Sequence, residues 1–144
     1  MKRWEELLLF LGTGDAANRE VDPVRIMKGM FLLEMRRGLK KHSDDFEPYD
    51  YGPFSISLYC DLDELEGKEL IERIPKPGRN WSYVRATDKG KSVAQSLGAQ
   101  LKPKQLALIS KVQDEALNKT FAELLRYIYE NYKEYAGRSV FQEG

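Results

Sequence analysis

The segment from residue 70 to residue 86 constrains the fold of this 144-residue chain more than any other. It holds two short runs, 70–74 and 81–86, that are rich in β-forming residues, and the second run alternates as a half-buried strand does. The connection between them, residues 75–80, contains two prolines, a glycine and two basic residues. The sequence therefore predicts a β-hairpin with a basic tip.

Helical periodicity of apolar residues predicts three helices before this hairpin and three after it. Asp22 is a typical N-cap, and Pro23 follows it at the first helical position. Thr87 and Thr120 are predicted to cap the fourth and the sixth helix. Residues 39–53 read as a polar loop. The predicted helices are 3–11, Pro23 to a stop at Gly38, Pro53 to a stop at Gly67, Thr87 to about Leu97, one opened by Pro103 and one capped by Thr120.

Three helices followed by a hairpin with a basic tip is the layout of a winged helix. The predicted fold class is therefore mainly α with a small β-hairpin, a winged helix-turn-helix with additional C-terminal helices. Residues 1–98 are predicted to form the winged-helix domain. Residues 99–144 are predicted to form a helical extension packed on it. The whole chain is then a single compact domain, and its length is close to the usual domain size of about 100–150 residues.

One cysteine, Cys60, and one histidine, His42, limit the chemistry that the chain can perform. They exclude an internal disulfide and the usual zinc ligand set. Cys60 has no cationic neighbour in sequence to activate it, so we expect a buried or half-buried structural thiol. Asp61, Asp63 and Glu64 do not share one face of a helix, which argues against a metal site. We expect a protein that is not an enzyme and that holds neither cofactor nor metal.

No segment of the sequence is typical of a membrane or secreted protein. The apolar run 7–11 is shorter than the roughly 7–15 residues of a signal-peptide core. No stretch approaches the roughly 18 apolar residues of a membrane span. With one free thiol suited to a reducing compartment, the sequence predicts a cytoplasmic protein.

The hairpin and its flanks resemble a known signature. Two runs are similar to the L-x-x-x-G-L-I … Y-x-L-T-x-x-G pattern of MarR-like and PadR-like winged-helix regulators. The chain departs from the pattern at Ala86, where those families usually have Leu. The two runs are Leu65-Glu66-Gly67-Lys68-Glu69-Leu70-Ile71 and Tyr83-Val84-Arg85-Ala86-Thr87-Asp88-Lys89-Gly90.

A second resemblance extends over most of the chain. Three segments are similar to the YwgA-like and Panacea antitoxin-like group of small winged-helix proteins, and the Tyr-Gly-Pro-Phe-Ser run is the most specific of them. This resemblance implies a winged-helix body with extra C-terminal helices, in a group that includes regulators and antitoxins or adaptors that hold a protein partner. The segments are 25–32, Tyr51-Gly52-Pro53-Phe54-Ser55 and 124–136.

A winged helix binds double-stranded DNA by laying its third helix in the major groove while the hairpin reaches phosphates or the minor groove. The nearest groove-facing polar residues of this chain are then Ser55 and Ser57. Roughly four to six phosphate contacts would give a slope of about −3.6 to −5.4 in log K against log salt. We therefore predict a DNA-binding transcriptional regulator. The predicted wing contacts are Arg73, Lys76, Arg79 and Asn80, with Arg85 assisting.

The distribution of charge leaves a second interpretation open. The chain has 23 basic and 23 acidic residues, and its third helix carries Asp61, Asp63, Glu64 and Glu66 but no Lys or Arg. Because carboxylates repel phosphates, either this acidic half points away from DNA or the face meets a basic protein, and an ordinary solvated helix face is the third reading. The alternative function is a protein-interaction module of antitoxin or adaptor type. Positive charge gathers at residues 36–41 and in the wing.

Four tyrosines near the C-terminus cannot all face one core at their spacing. They are Tyr127, Tyr129, Tyr132 and Tyr135, and Tyr132 continues the apolar stripe of the sixth helix. The C-terminal helices must therefore cover these rings by packing on the winged body or on a second subunit. The first arrangement is the default expectation, and a homodimer through these helices stays open.

Overall fold

The computed structural model describes residues 1–37, 46–49 and 52–136. These residues are mainly helical, with two short antiparallel hairpins and two single 3₁₀ turns at Gly14–Ala16 and Lys133–Tyr135. In chain order the elements are α1 (Arg3–Gly12), α2 (Pro23–Arg36), β1 (Glu47–Tyr49), β2 (Gly52–Phe54), α3 (Ile56–Gly67), β3 (Ile71–Pro75), β4 (Ser82–Ala86), α4 (Asp88–Ala99), α5 (Pro103–Asn118) and α6 (Phe121–Asn131).

The three predicted helix caps are confirmed. Asp22 accepts a hydrogen bond from the backbone N–H of Arg25 at 2.9 Å, and Pro23 occupies the first position of α2. Thr87 caps α4 with a 3.0 Å bond from the N–H of Gly90. Thr120 opens α6 with a reciprocal capping box, in which it exchanges hydrogen bonds with Glu123.

The predicted β-hairpin is confirmed as β3 and β4, paired antiparallel from Ile71 opposite Ala86 to Pro75 opposite Ser82. Val84 and Ala86 are buried, as the alternation along this strand indicates. Val21, just before α2, exchanges two backbone hydrogen bonds of 2.9 Å with Val84. This bridge ties the hairpin to the start of α2.

The predicted start of the third helix at Pro53 is wrong. Pro53 and Phe54 belong to β2, which pairs with β1, so the segment predicted as a polar loop also holds a strand. Ser55 is extended, with φ −135° and ψ 120°, and the helix begins at Ile56. The backbone is extended here because it pairs with β1, and Lys28, on α2, donates a buried 3.0 Å hydrogen bond to the carbonyl of Pro53. Such a long-range contact leaves no local signal.

Part of that predicted loop lies outside the described residues, and so do Lys40, Lys41, His42 and the predicted helix stop at Gly38. Helix α2 itself ends at Arg36.

The N-terminal and C-terminal parts of the chain share one hydrophobic core. Leu8 and Phe31 of the first two helices and Val112 and Leu124 of α5 and α6 are all fully buried in a single cluster. The predicted division at residue 98 therefore does not separate two cores.

The tyrosines of the C-terminal segment find cover within the chain. Tyr132 and Tyr135 pack edge-on against Phe31, with ring centroids 5.2 and 4.7 Å apart. The hydroxyl of Tyr127 accepts a 2.8 Å hydrogen bond from Arg36. The C-terminal helices thus pack on the body of the same chain, and the homodimer remains a prediction.

The link between α3 and β3 explains part of the first signature. Glu69 is a departure from the pattern besides Ala86, since the pattern has Gly at this position, and it adopts a left-handed backbone with φ 62°. The N–H of Leu70 then donates to the carbonyl of Leu65 at 2.9 Å and closes the end of the helix. At the other end of the signature, a Cβ atom on Gly90 would lie 1.9 Å from the carbonyl oxygen of Leu70. These signature positions therefore serve the packing of α3, β3 and α4.

No helix in the described part of the chain is both long enough and apolar enough to cross a membrane.

Candidate functional site

The outer side of α3 and the β3–β4 hairpin form one continuous face, which we call the α3–hairpin face (residues 55–86). Leu58, Leu62 and Leu65 hold α3 against the core at spacings of three and four residues. The opposite side of the same helix is directed to solvent. The hairpin is fixed beside α3 by its contacts with that helix and by the Val21 bridge. Most of the predicted DNA contacts lie on α3, on β3 or at the hairpin tip. Arg85 instead points to the opposite side of the hairpin, where it lines a separate hollow with Asn18 and Lys91.

The hairpin tip is a tight turn that presents two free polar side chains. Pro77 and Gly78 occupy its two central positions, Gly78 has φ 77°, and the N–H of Arg79 donates to the carbonyl of Lys76 at 3.1 Å. This is the arrangement of a type II turn, which needs a residue that tolerates positive φ at its third position. Arg79 and Asn80 are exposed, and neither side chain has a partner among the described residues.

Two other predicted wing cations are paired with carboxylates of the same chain. Arg73 donates to Asp63 at 2.7 Å and to Glu66 at 3.2 Å, so that β3 is bound to the acidic half of α3. Arg85 donates to Glu72 on the neighbouring strand at 2.5 and 2.9 Å. The hydrogen bonds that Arg85 donates to Glu72 raise the pKa of the Arg85 guanidinium further. Both guanidinium groups therefore already have carboxylate partners, which weakens their attraction for a phosphate.

Lys76 is held by aromatic side chains instead of a carboxylate. Its ammonium donates to the Tyr83 hydroxyl at 2.9 Å and lies 5.1 Å from the centre of that ring and 5.4 Å from that of Trp81. The two rings pack edge to face, with centroids 5.0 Å apart. A cation over aromatic faces keeps its full positive charge. Lys76 is therefore positioned but not neutralised.

The two serines predicted to face the major groove differ in how far their side chains are exposed to solvent. Ser55 is 1% exposed, and its backbone N–H points to the sulfur of Met27, so its assignment as a DNA contact is wrong. The physical reason is that Ser55 follows a buried strand and only begins the helix. Ser57, in the first turn of α3, is half-buried.

The acidic side chains of α3 are each paired with a cation of the same chain. Asp61 accepts from Arg3 of α1 at 2.5 Å, and Glu64 lies 3.1 Å from Lys68. Asp63 and Glu66 share Arg73. The negative charge that the sequence assigns to this helix is thus largely balanced by ion pairs that the sequence alone does not predict.

The solvent side of α3 is apolar near its start. Ile56 is 72% exposed and Tyr59 is 37% exposed, which makes them two of the few large apolar side chains that the described residues leave open. Cys60, beside them, is exposed, so the expectation of a buried or half-buried thiol is wrong. It lies on the outer side because Leu58 and Leu62 occupy the core positions around it.

A groove runs between α3, the hairpin and the start of α2. It consists of two adjoining hollows of about 440 and 370 Å³ that share Pro23, Tyr59 and Trp81. Tyr83 and Phe121 complete the larger hollow. We call this the aromatic groove. Sequence reasoning missed it because its walls come from four separate segments, although the aromatic content of residues 81–83 was a visible sign.

The described residues contain no cluster of three or more His, Cys, Asp or Glu side chains that could hold a metal ion. A further polar hollow of about 420 Å³ at the start of α4 is lined by Arg85 and Lys91 but also by Glu72 and Asp88. Its charges balance one another, and Lys91 already donates to Asn18 at 2.8 Å.

In comparisons with known proteins, no family model and no curated protein matches the chain.

Proposed function

We propose that this chain is a non-enzymatic winged-helix module that binds a protein partner on its α3–hairpin face. One observation carries the proposal: an aromatic groove lies open between α3 and the hairpin, while Arg73 beside it is paired with Asp63 and Glu66, and Arg85 is paired with Glu72.

Two observations support the winged-helix assignment. One is the order of the elements, and the other is that Val21 pairs with the hairpin as a short third strand would. Helices α1, α2 and α3 precede β3 and β4, and Val21 pairs with Val84 along the outer side of β4. In such an arrangement the third helix and the hairpin form the usual recognition face. The composition of that face then decides what class of partner it suits.

The composition favours protein over nucleic acid. Trp and Tyr are the side chains most enriched at the energetic centres of protein interfaces, because they bury a large area with few rotatable bonds. Here Tyr59, Trp81 and Tyr83 line one groove, next to the exposed Ile56. The start of α3, where a DNA-reading helix meets base edges, offers no cation and only the half-buried Ser57.

Tagged protein purified from its native cells, with nuclease treatment, tests this function. We expect a protein partner that is retained at constant ratio by the wild type and by the control Lys104→Ala, and lost with Trp81→Ala. Lys104 suits the control because it is exposed and lies at the far end of α5 from Phe121. Nucleic acid as the only retained species, or a partner that Trp81→Ala leaves bound, would overturn the proposal.

A second candidate, DNA binding, is favoured by the tip of the hairpin. Lys76 and Arg79 pair with no carboxylate among the described residues and project from the position at which a wing meets phosphate. Two such contacts give a slope of about −1.8 in log K against log salt, well below the range expected from the full predicted set. Fluorescence anisotropy of a labelled duplex at low and moderate salt measures it. Absence of binding at micromolar protein would exclude this candidate.

A further inference from the structure

Most of the charged side chains around the aromatic groove are paired with one another. Along α3 every carboxylate is paired: Asp63 and Glu66 with Arg73, and the other two with Arg3 and Lys68. At the start of α2, Asp22 and Arg25 pair with each other at 2.8 Å. Because Asp63 and Glu66 share one cation, these pairs offset most of the negative charge of the groove walls and leave a small excess of it on α3.

The hairpin side of the groove rim is different, because its charge is not compensated. Lys76 stands over Trp81 and Tyr83 without a carboxylate, and Arg79 extends from the adjacent turn without a partner among the described residues. The type II turn fixes where Arg79 leaves the backbone. Lys76 is thus fixed against Trp81 and Tyr83, which line the larger hollow, and Arg79 leaves the backbone two residues before Trp81.

This combination determines the chemistry of the complementary ligand. An aromatic or large aliphatic side chain fits between Tyr59 and Trp81, where apolar area is open to water. A carboxylate placed beside it would reach Lys76 and Arg79. A basic segment, which the acidic α3 first suggests, would meet no unpaired carboxylate on this side of the helix and would be repelled by the rim.

We infer that the aromatic groove binds an acidic peptide segment of a partner protein, with an aromatic or aliphatic anchor in the groove and a carboxylate against Lys76 and Arg79. This inference rests on the proposed function, since it names the partner chemistry for the same face.

A phage library of random dodecapeptides, panned against the full chain, tests the inference directly. Enriched peptides are expected to carry an aromatic or aliphatic residue next to Asp or Glu. The double variant Lys76→Glu/Arg79→Glu should bind them more weakly by about tenfold, a size suited to reversing two rim charges. The control Lys104→Glu, which changes an exposed lysine far from the groove, should bind within about twofold of the wild type.

Several outcomes would overturn the inference. Enriched peptides that are basic or uncharged, or acidic peptides that bind the double variant as tightly as the wild type, exclude the proposed partner chemistry. So does an absence of enrichment. Self-association that Trp81→Ala abolishes identifies a second copy of the chain as the occupant. In each case the proposed protein-binding function still stands if the co-purifying protein is lost with Trp81→Ala. If the chain binds only duplex DNA, the proposed function and this inference are both excluded.

Discussion

The two hairpins of this protein have opposite surroundings. In the β1–β2 hairpin, Gly52 and Pro53 are buried, and Phe46, just before it, is 5% exposed. In the β3–β4 hairpin, the turn from Pro77 to Asn80 is exposed. Strand β2 of the first hairpin thus packs at the core, whereas the turn of the second hairpin is directed to solvent. Similar short elements therefore take a structural or a recognition role according to what surrounds them.

The largest expected difference between the two hairpins is in stability. Phe46→Ala removes a ring that packs edge-on against Phe31, with centroids 5.4 Å apart, and should lower the free energy of unfolding by about 3–5 kcal/mol. Trp81→Ala on the exposed hairpin should lower it by about 1 kcal/mol, mainly through its contact with Tyr83. Urea unfolding followed by far-ultraviolet circular dichroism measures both. Equal losses would contradict the assigned roles.

The buried hairpin should also respond to pH through Lys28. Burial lowers the pKa of Lys28 from 10.5 to about 7, and Asp22 opposes the shift only in part. Between pH 7 and 10.5 the unfolded chain therefore binds more protons at this lysine than the folded chain does. Folding stability should rise across this window, by at most about 1.4 kcal/mol per pH unit.

The variant Lys28→Met keeps a similar volume, and it should abolish that rise.

Below pH 7 a second buried group acts in the opposite direction. Burial, with the nearby Glu6, raises the pKa of Glu34 from 4.5 to about 7, so the folded chain binds more protons there and stability falls from pH 4.5 to 7. Urea titrations at several pH values would show a minimum near neutral pH. A rise of folding stability above pH 7 that persists in Lys28→Met would show that Lys28 is not its cause.

A smaller effect is expected at the junction that leads into the exposed hairpin. Glu69 has a left-handed backbone, and its exposed side chain makes no contact among the described residues that would offset the cost. Glu69→Gly should therefore raise the free energy of unfolding by about 1 kcal/mol. The same denaturation assay measures it. An unchanged or lowered stability would show that the left-handed conformation costs the chain nothing.

Local signals made part of this structure predictable. Asp22, Thr87 and Thr120 each cap a helix through residues three positions ahead, and the β3–β4 hairpin is encoded by its own alternation and turn residues. Such features depend on a few neighbouring residues. They appear in the sequence whatever the rest of the chain does.

The parts that sequence reasoning missed depend on distant contacts. Pro53 lies in a strand that pairs with β1, and its carbonyl accepts a hydrogen bond from Lys28, 25 positions earlier. Arg73, a predicted DNA contact, forms ion pairs with two carboxylates on α3, which a sequence displays as separate charges. The aromatic groove joins side chains from α2, α3, β4 and α6. Burial and charge pairing of this kind follow from tertiary packing and cannot be read from residue spacing.

Site-specific photo-crosslinking in cells shows which class of molecule contacts the α3–hairpin face. A p-benzoylphenylalanine at position 80 sits on the groove wall at the hairpin tip, and one at position 104 serves as the control. We predict that position 80 gives a discrete adduct that survives nuclease and is removed by protease, and that position 104 does not give it. An adduct at position 80 that nuclease removes would show that the α3–hairpin face binds nucleic acid, and would contradict the account.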